Sequence, residues 1–219
     1  MILFFAKCMG KISNILKKNK IDAVVLINQK NLIDPNEYLT LERESEIKNE
    51  YYDGEIFAMA GASREHNQIS SNIVRVLGNN LLEKPCSVFA SDMKVKMNEI
   101  KKYTYPDIVI VCEDEQCDDE YNDILLNPIV IIEILSDSTE AYDRGDKFLH
   151  YQFIDSFSEY ILISQYFCKV EKFKRQTDNT WIYSKYINME DIIRIESFNC
   201  EIQISEIYRR VNFDSHRLR

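Results

Sequence analysis

Two apolar segments of this chain are each interrupted by a single carboxylate. Asp107 stands in the segment 105–112, Tyr-Pro-Asp-Ile-Val-Ile-Val-Cys, and Glu133 stands in the segment 128–135, Pro-Ile-Val-Ile-Ile-Glu-Ile-Leu. Runs so rich in β-branched residues on both faces are typical of central strands that are covered on both sides. A carboxylate there is costly unless a cation compensates its charge. Carboxylate-bound divalent cations are tools of phosphodiester hydrolysis, so the pattern indicates a metal site of that kind.

The spacing within the two segments allows the carboxylates to meet. Asp107 shares a strand face with Val109, and Glu133 shares one with Ile131. If the strands are neighbours, one register brings both acids together, where they would hold Mg²⁺ or Mn²⁺. Lys147, on the helix predicted to follow, would supply the positive charge that such chemistry also uses.

Each of these three residues also has a purely structural interpretation. Asp107 could cap the start of its strand, and Glu133 could form a buried ion pair with a lysine or arginine. Lys147 could be a solvated helix residue paired with Asp143, four positions earlier in the chain. The spacing alone leaves both interpretations open.

Turn and cap signals divide the first half of the chain. A helix is predicted over 36–45 with Asn36 as its cap, and Asp53-Gly54 predicts a two-residue hairpin turn. Ser63 is a cap for the next helix, which has an apolar stripe at helical spacing. The stripe consists of Ile69, Ile73, Val76, Leu77 and Leu81. Residues 86–97 alternate polar and apolar side chains, as in a strand.

The second half alternates strands with a helix. After the two acid-bearing segments, a helix is predicted over 139–153 and a strand over 159–164. Because the helix can act as a crossover, the strands on its two sides should be parallel neighbours. A hairpin is predicted from 168–174 and 181–187, and a strand with a short helix within 191–211.

Composition excludes some classes of protein and weakens others. The net charge of −9 argues against a nucleic-acid partner, but seven acids lie in 113–123 alone, so it does not exclude one. No apolar run approaches the ~20 residues of a membrane span, and a secretory signal is not expected. The six cysteines lack zinc-site spacing. We expect reduced thiols, a cytoplasmic location and no membrane partner.

Six stretches of the chain, in order, resemble one known family. They are Asn49-Glu-Tyr-Tyr-Asp-Gly-Glu-Ile, Glu65-His-Asn, Cys86-Ser-Val-Phe-Ala-Ser-Asp-Met-Lys-Val, Tyr105-Pro-Asp-Ile-Val, Asn127-Pro-Ile-Val-Ile-Ile-Glu-Ile-Leu-Ser and Ser138-Thr-Glu-Ala-Tyr-Asp-Arg-Gly-Asp-Lys-Phe. The family is the Uma-type restriction endonucleases, a bacterial branch of the PD-(D/E)XK nuclease superfamily. The resemblance divides the chain into an N-terminal extension (1–36), a restriction-endonuclease-like domain (37–211) and a C-terminal tail (212–219).

The resemblance implies a fold and an activity. The fold would be α/β, a restriction-endonuclease-like core with a mixed central β-sheet flanked by helices and with extra β-hairpins. The activity would be that of a hydrolase acting on ester bonds, a Mg²⁺-dependent endonuclease on DNA with Asp107 and Glu133 as metal ligands. The superfamily's usual lysine falls two positions after the second acid, where this chain has Leu135. The resemblance assigns its role to Lys147 instead.

Four further residues are candidates for the site. Glu50 matches the family's upstream acid, although an exposed carboxylate beside the hairpin is an equal alternative. His66 would contact a phosphate or assist proton transfer, or it is a packing histidine. Lys94 and Lys96 share the polar face of their strand and would meet a backbone phosphate, unless they form a solvated face.

Two other functions stay open at this point. The replacement of the usual lysine by Leu135 and the acidic composition also suit a catalytically inactive nuclease-fold module that binds nucleic acid or protein. A metal–carboxylate site does not choose the sugar, so an RNA-directed nuclease is a third possibility. Because restriction-type nucleases often dimerise to cut both strands, a homodimer is also an expectation.

Overall fold

A six-stranded and a five-stranded β-sheet organise residues 32–213, the part of the chain that the computed structural model describes. The predicted extension, 1–36, lies mostly outside the described residues, as does most of the predicted tail, 212–219. Both boundaries therefore stay predictions.

The helices are short except for one. They are α1 (Pro35–Glu44), α2 (Arg64–Asn80), α3 (Glu140–Tyr142), α4 (Phe148–Tyr151) and α5 (Ile204–Ile207). A π-helical segment, Asp143–Lys147, joins α3 to α4, so the helix predicted over 139–153 is present with a wider turn in its middle. None of the helices in the described range is long and apolar enough to cross a membrane.

The strands alternate with these helices along the chain. They are β1 (Asn49–Tyr52), β2 (Glu55–Ala58), β3 (Cys86–Ala90), β4 (Lys94–Met97), β5 (Lys102–Thr104), β6 (Ile108–Cys112), β7 (Ile124–Leu125), β8 (Val130–Leu135), β9 (Glu159–Ser164), β10 (Val170–Arg175), β11 (Trp181–Tyr186), β12 (Ile192–Ile195) and β13 (Cys200–Gln203).

The two large sheets are both mixed. The six-stranded sheet has the order β11-β10-β9-β8-β6-β3, and the five-stranded sheet has the order β2-β1-β5-β4-β7. In the six-stranded sheet β8 and β9 are parallel while β6 and β8 are antiparallel. The parallel pair confirms the crossover predicted through the helix between them. The predicted hairpin of β10 and β11 is also present.

Local signals placed the turns and caps. Asp53 and Gly54 both have positive φ, 41° and 96°, as a two-residue hairpin turn requires. Ser63 caps α2 by accepting a hydrogen bond from the N–H of His66 at 3.1 Å. The predicted Asn36 cap of α1 is wrong. Asp34 caps this helix, because Pro35 is preset for the first helical position and the Asn36 N–H donates to Asp34 Oδ1 at 2.9 Å.

Two predicted strands are in fact pairs of strands. Residues 86–97 form β3 in the six-stranded sheet and β4 in the five-stranded sheet. A turn separates them, in which the Asp92 N–H donates to the Ala90 carbonyl at 2.7 Å. The polar and apolar alternation continues through this turn and therefore does not reveal it. Within 191–211 the structure has two antiparallel strands, β12 and β13, before α5.

The prediction that the cysteines are reduced is wrong for one pair. Cys86 on β3 stands directly opposite Cys112 on the antiparallel strand β6, and the two form a disulfide. The register between two strands 26 residues apart brought them together, and the cysteine spacing contains no such information. Cytoplasmic location stays a prediction.

The acid-bearing strands are covered on both faces, as their composition predicted. On one face Ile110 and Ile132 pack in a core with Ile69 and Leu77 of α2. On the other face, β6 and β8 contribute to a second core, whose members include Val109, Ile131, Leu135, Tyr151 and Tyr160. Each fully buried side chain of this size stabilises the fold by roughly 1.5–3 kcal/mol. The two cores therefore fix the strands that carry Asp107 and Glu133.

Candidate active site

The antiparallel register of β6 and β8 brings Asp107 and Glu133 together. Ile108 lies opposite Ile132, so the preceding Asp107 comes to the level of Glu133. The Asp107 N–H donates to Glu133 Oε2 at 3.2 Å, and the Ile134 N–H donates to Asp107 Oδ2 at 2.7 Å. The two carboxyl groups therefore face the same end of the six-stranded sheet.

Lys147 reaches this end of the sheet from the π-helical segment. Its Nζ lies 2.9 Å from Glu133 Oε1, and the Tyr151 hydroxyl donates to the same oxygen at 2.9 Å. Lys147 Nζ is also 3.5 Å from Glu50 Oε1 and 3.6 Å from Asp143 Oδ1. Lys147 is only 5% exposed, so the solvated-residue interpretation is wrong, although the Asp143 pair is present. The ion pair that was the alternative for Glu133 is formed with Lys147 itself.

Position 135, where the superfamily usually has a lysine, is part of an apolar core in this protein. Leu135 is 1% exposed and belongs to the apolar cluster that contains Ile131 and Leu162. The side chain at this position therefore contributes to the core and not to the charge of the site. The wide π-helical turn instead presents Lys147 to Glu133 from the side, and such turns are frequent at functional sites.

Glu50 enters the site from the other sheet. It lies on β1 of the five-stranded sheet and is 8% exposed, so the exposed-carboxylate alternative is wrong. Its Oε1 accepts hydrogen bonds from the Thr104 hydroxyl and from the Tyr105 N–H, the latter at 3.2 Å. The Tyr142 hydroxyl donates to Oε2 at 3.4 Å. Lys147 thus touches carboxylates from both sheets.

The described part of the site carries more negative than positive charge. Its four carboxylates are Glu50, Asp107, Glu133 and Asp143, and its two ammonium groups are Lys102 and Lys147. Burial raises the pKa of Glu133 to about 8, with further contributions from Asp143 and Asp107, while Lys147 opposes the shift. Burial also raises the pKa of Asp143. With every one of these groups ionised the excess is two negative charges, which one divalent cation would balance.

The same carboxylates keep Lys147 charged. Burial alone would lower its pKa, but Glu133, Glu50 and Asp143 together hold the pKa of Lys147 well above its ordinary value. Burial also opposes ionisation of Glu50, yet Lys147 and the Thr104 hydroxyl lower the pKa of that carboxyl. Lys147 and Glu50 therefore form the charged pair at the centre of the site.

Lys102 is a second buried lysine that no sequence pattern indicated. It lies on β5, is 2% exposed, and donates to the Tyr142 hydroxyl and to His150 Nδ1, the latter at 2.8 Å. Burial, with the repulsion of Lys147, lowers the pKa of Lys102 to about 8. Its position beside Glu50 follows from the pairing of β5 with β1, two strands that are distant in the chain.

His66 contacts the first of the two acids. Its Nε2 lies 3.1 Å from Asp107 Oδ2, the oxygen that also holds the Ile134 N–H. Its Nδ1 is buried and has no hydrogen-bond partner within residues 32–213. The side chains of His66 and Asp107 are 15% and 17% exposed, so this contact lies at the open side of the site.

The structure does not bring Lys94 and Lys96 to these residues. Lys94 is 4% exposed and its Nζ lies 2.7 Å from Asp123 Oδ2. Lys96 Nζ lies 2.7 Å from Asp118 Oδ1. Neither lysine lines the cleft that contains the acid pair. Part of the acidic segment 113–123 thus serves as an internal counter-charge for the five-stranded sheet.

A cleft of about 1600 Å³ opens over the acid pair and runs between the two sheets. Of the described residues that line it, eight are acids and three are lysines. The acids are Glu46, Glu50, Glu65, Asp107, Glu133, Asp137, Asp143 and Asp146, and the lysines are Lys48, Lys102 and Lys147. With this excess of acids, the walls of the cleft favour cations over free anions.

The donor chemistry of the acid pair fits a hard divalent cation. Within residues 32–213, no three His, Cys, Asp or Glu side chains form a complete metal-ligand group. Mg²⁺ is commonly held by only one or two carboxylates, with waters and substrate phosphates as its other ligands. Asp107 and Glu133 match that arrangement, because they face one open cleft and the cluster around them has unbalanced negative charge.

Two further site residues do carry a signal in the sequence. Asp143 and Tyr151 lie four positions before and after Lys147, and a helix places such residues on one face. From the sequence alone, Asp143 is only an alternative partner for a solvated Lys147, and Tyr151 is interpreted as mainly a packing residue. In the structure both contact the Lys147–Glu133 pair directly.

The mixed sheets with a carboxylate pair at the end of β6 and β8 define a restriction-endonuclease-like α/β protein. The model of the Uma2 family, described as "Putative restriction endonuclease", matches residues 35–206. The chain therefore belongs to the Uma2 family.

Relatives and a solved structure agree with this assignment. The uncharacterized protein slr1290 of Synechocystis sp. is 32% identical over 181 residues, covering 83% of this chain and 94% of the relative. The uncharacterized protein sll1609 of the same organism is 34% identical over 149 residues, covering 68% and 84%. A crystal structure from Anabaena variabilis, described as "a putative nuclease belonging to DUF820", superimposes with a TM-score of 0.67 at 20% identity. It covers 80% of this chain and 97% of its own, and it supports the fold.

Proposed function

We propose that this protein is a divalent-metal-dependent endonuclease that hydrolyses phosphodiester bonds of DNA. The observation that carries the proposal is the meeting of Asp107 and Glu133 beside a buried lysine at the floor of a wide cleft. Membership of a family described as "Putative restriction endonuclease" supports it. The Anabaena protein, which shares the fold, is itself described as "a putative nuclease".

Asp107 and Glu133 would hold Mg²⁺ or Mn²⁺. When bound, the ion would lower the pKa of an attacking water and neutralise charge on the phosphate oxygens. The Ile134 N–H and His66 orient Asp107, and the Tyr151 hydroxyl orients Glu133. These contacts keep both carboxylates turned toward the cleft.

Lys147 is the residue that would stabilise negative charge as it develops on the phosphate. A charged donor fixed in a water-poor site needs no reorganisation when the charge appears, and this lysine is held by carboxylates on both sides. Glu50 has the role of keeping that ammonium charged and in place. His66 is the group nearest the open side that could accept or donate a proton at Nε2.

A non-catalytic nuclease-fold binding module is the second candidate. The observation in its favour is that Lys147 is already fully engaged with three carboxylates, as in a structural ion-pair cluster. An RNA-directed nuclease would use the same residues as the DNA enzyme. The RNA-directed nuclease would differ from the DNA enzyme in its substrate, and the binding module would show no metal-dependent hydrolysis.

Cleavage by the purified full chain tests the proposal. Supercoiled plasmid, linear duplex DNA, single-stranded DNA and RNA are incubated with Mg²⁺, with Mn²⁺ or with EDTA. The variants are Asp107→Asn, Glu133→Gln and Lys147→Met. Glu159→Gln is the matched control, because Glu159 is also a buried strand glutamate with lysine partners, but at the opposite end of the sheet from Glu133.

The expected result is metal-dependent DNA cleavage that each of the three site variants reduces by about 10²-fold or more, the loss typical of a removed charge-stabilising group. The control should cleave like the wild type. Cleavage that survives Asp107→Asn and Glu133→Gln unchanged would refute the assignment. Salt-dependent DNA binding without hydrolysis would favour the binding module, and preference for RNA would favour the third function.

A further inference from the structure

Two half-exposed aromatic side chains stand in the cleft beside the acid cluster. Tyr52 is 39% exposed and Phe57 is 48% exposed, and both line the cleft. In the β1–β2 hairpin Glu50 lies opposite Phe57, and Tyr52 is two residues further along β1. Glu50, Tyr52 and Phe57 therefore share one face of the hairpin. That face looks toward Lys147, which contacts Glu50 at 3.5 Å.

The Tyr52 ring is held in place from within the protein. Lys102 Nζ lies 5.1 Å from the centre of this ring, and the His150 ring packs against it at 5.1 Å between centroids. Phe57 lies opposite Glu50 in the hairpin and precedes a stretch of mostly small residues, 58–62. Both rings thus stand on one face of the hairpin and are exposed enough for flat ligands to approach them.

The described part of the cleft offers few free cations to the phosphate backbone of a nucleic acid. A duplex binder usually presents a stripe of cations to the phosphate backbones. Among the described residues of this cleft the lysines are three, and Lys102 and Lys147 are buried against protein partners. Lys48 is paired with Asp92 and also donates to the Ser91 carbonyl at 3.0 Å. Affinity for nucleic acid must therefore come largely from contacts with the bases.

Aromatic rings bind bases by stacking, which requires bases that are not already stacked and paired within a duplex. We propose that the cleft takes single-stranded DNA and that Tyr52 and Phe57 stack on its unpaired bases, which places a phosphate of the same strand over Asp107 and Glu133. This inference rests on the proposed function and makes it more specific by naming the substrate class. The distance from Glu50 to the acid pair is bridged by Lys147, so rings and carboxylates belong to one continuous surface.

Binding and stacking can be measured without cleavage. Full-length protein is titrated, in buffer with Ca²⁺ and again with EDTA, into a fluorescein-labelled single strand and into the matched duplex, with anisotropy as the readout. A second single strand carries 2-aminopurine, whose fluorescence falls when it stacks on an aromatic ring. The variants are Tyr52→Ala, Phe57→Ala and Phe57→Trp. Phe153→Ala is the matched control, because Phe153 is 47% exposed and does not line the cleft.

We expect the single strand to bind about tenfold or more tightly than the duplex, and 2-aminopurine fluorescence to fall on binding. Tyr52→Ala and Phe57→Ala should each weaken binding by about 5- to 150-fold, the range measured when a stacking ring is removed. Phe57→Trp and Phe153→Ala should bind like the wild type. All of the substituted side chains are near the surface, so thermal melting should confirm that every variant folds.

Equal or tighter binding of the duplex would overturn the inference, as would unchanged binding in both alanine variants. The two proposals fail separately. If the rings bind single strands but no cleavage occurs, the endonuclease assignment fails and the stacking surface stands. If duplex DNA is cut and the alanine variants cut it normally, the endonuclease assignment stands and the stacking surface fails.

Discussion

Replacing Glu133 by glutamine should not destabilise the metal-free protein, although it breaks a buried ion pair. Glu133 is one of four carboxylates that share two ammonium groups in the described site, and its side chain is almost wholly buried beside Lys147. The substitution removes one negative charge with little change in shape. Lys147 keeps Glu50 and Asp143 as partners after the change.

The pKa of Glu133 gives the direction and the scale. The pKa of Glu133 in the folded state, about 8, lies above its ordinary value of 4.5. Between these two pH values the folded protein retains a proton that the unfolded chain has released. Stability therefore falls as pH rises from about 4.5 to 8. At pH 7 the folded state loses at most about 3 kcal/mol of stability because it disfavours the ionised form of Glu133. Glutamine cannot ionise and would avoid this loss. We expect the unfolding free energy of Glu133→Gln to equal that of the wild type or to exceed it by up to this amount.

A divalent cation should stabilise the wild type but not Glu133→Gln. At about ten times its dissociation constant, an ion that binds only the folded state adds roughly 1.4 kcal/mol of stability. For a chain of 219 residues this is a rise in Tm of about 3–6 °C. Glu133→Gln and Asp107→Asn should lose this rise because they lack a ligand. Glu159→Gln should keep it, since Glu159 lies outside the cleft.

Urea denaturation and calorimetry at pH 7, with EDTA or with Mg²⁺, measure both quantities. A structural ion pair predicts the opposite pattern. Removing one partner of such a pair costs about 3–5 kcal/mol and leaves no metal-dependent stabilisation. If Glu133→Gln is destabilised by that amount, and Mg²⁺ stabilises neither protein, then the charge-balance reasoning is wrong and Glu133 serves the fold.

Three further outcomes follow from the same contacts. Lys147→Met should destabilise the metal-free protein by about 3–5 kcal/mol in urea, because three buried carboxylates lose their ammonium, and Lys147→Arg should recover part of the loss. Lys102 has a folded pKa of about 8 against 10.5, so wild-type stability should rise by up to about 3 kcal/mol from pH 8 to 10.5, and Lys102→Met should show a flatter slope in urea titrations. Ser63→Ala should cost about 1 kcal/mol of thermal stability by removing the α2 cap, and Ser63→Asp should retain it.

The acid pair was predictable because it depends on short-range rules. Alternation fixes which face Asp107 and Glu133 occupy, and the apolar composition of both strands predicts that they are central. The hairpin at Asp53-Gly54 and the cap at Ser63 follow from backbone requirements of single residues. Each of these inferences uses only the residues within one element. The meeting of the two acids requires the further assumption that their strands are neighbours in the sheet.

The remainder of the site depends on how the two sheets meet. Glu50 and Lys102 come from the five-stranded sheet, while Glu133 comes from the six-stranded sheet. The passage of the chain from one sheet to the other between β3 and β4 leaves the alternation unbroken, so sequence periodicity does not report it. For the same reason the burial of Lys94 against Asp123 could not be foreseen. The pairing of Cys86 with Cys112 depends instead on the register of two strands that are distant in the chain.

The position of the lysine on a helix rather than on β8 is a consequence of this architecture. Leu135 on β8 packs in the apolar cluster that contains Ile131 and Leu162. From the π-helical segment, Lys147 contacts Glu133 of one sheet and Glu50 of the other. Its ammonium therefore joins the two sheets where the cleft opens, and the residue proposed to stabilise charge on a phosphate also fixes the walls between which the phosphate would lie. A substitution of Lys147 should then alter the cleft and the proposed chemistry together, whereas a substitution of Asp107 changes a carboxylate at the open side that contacts His66 and the Ile134 N–H.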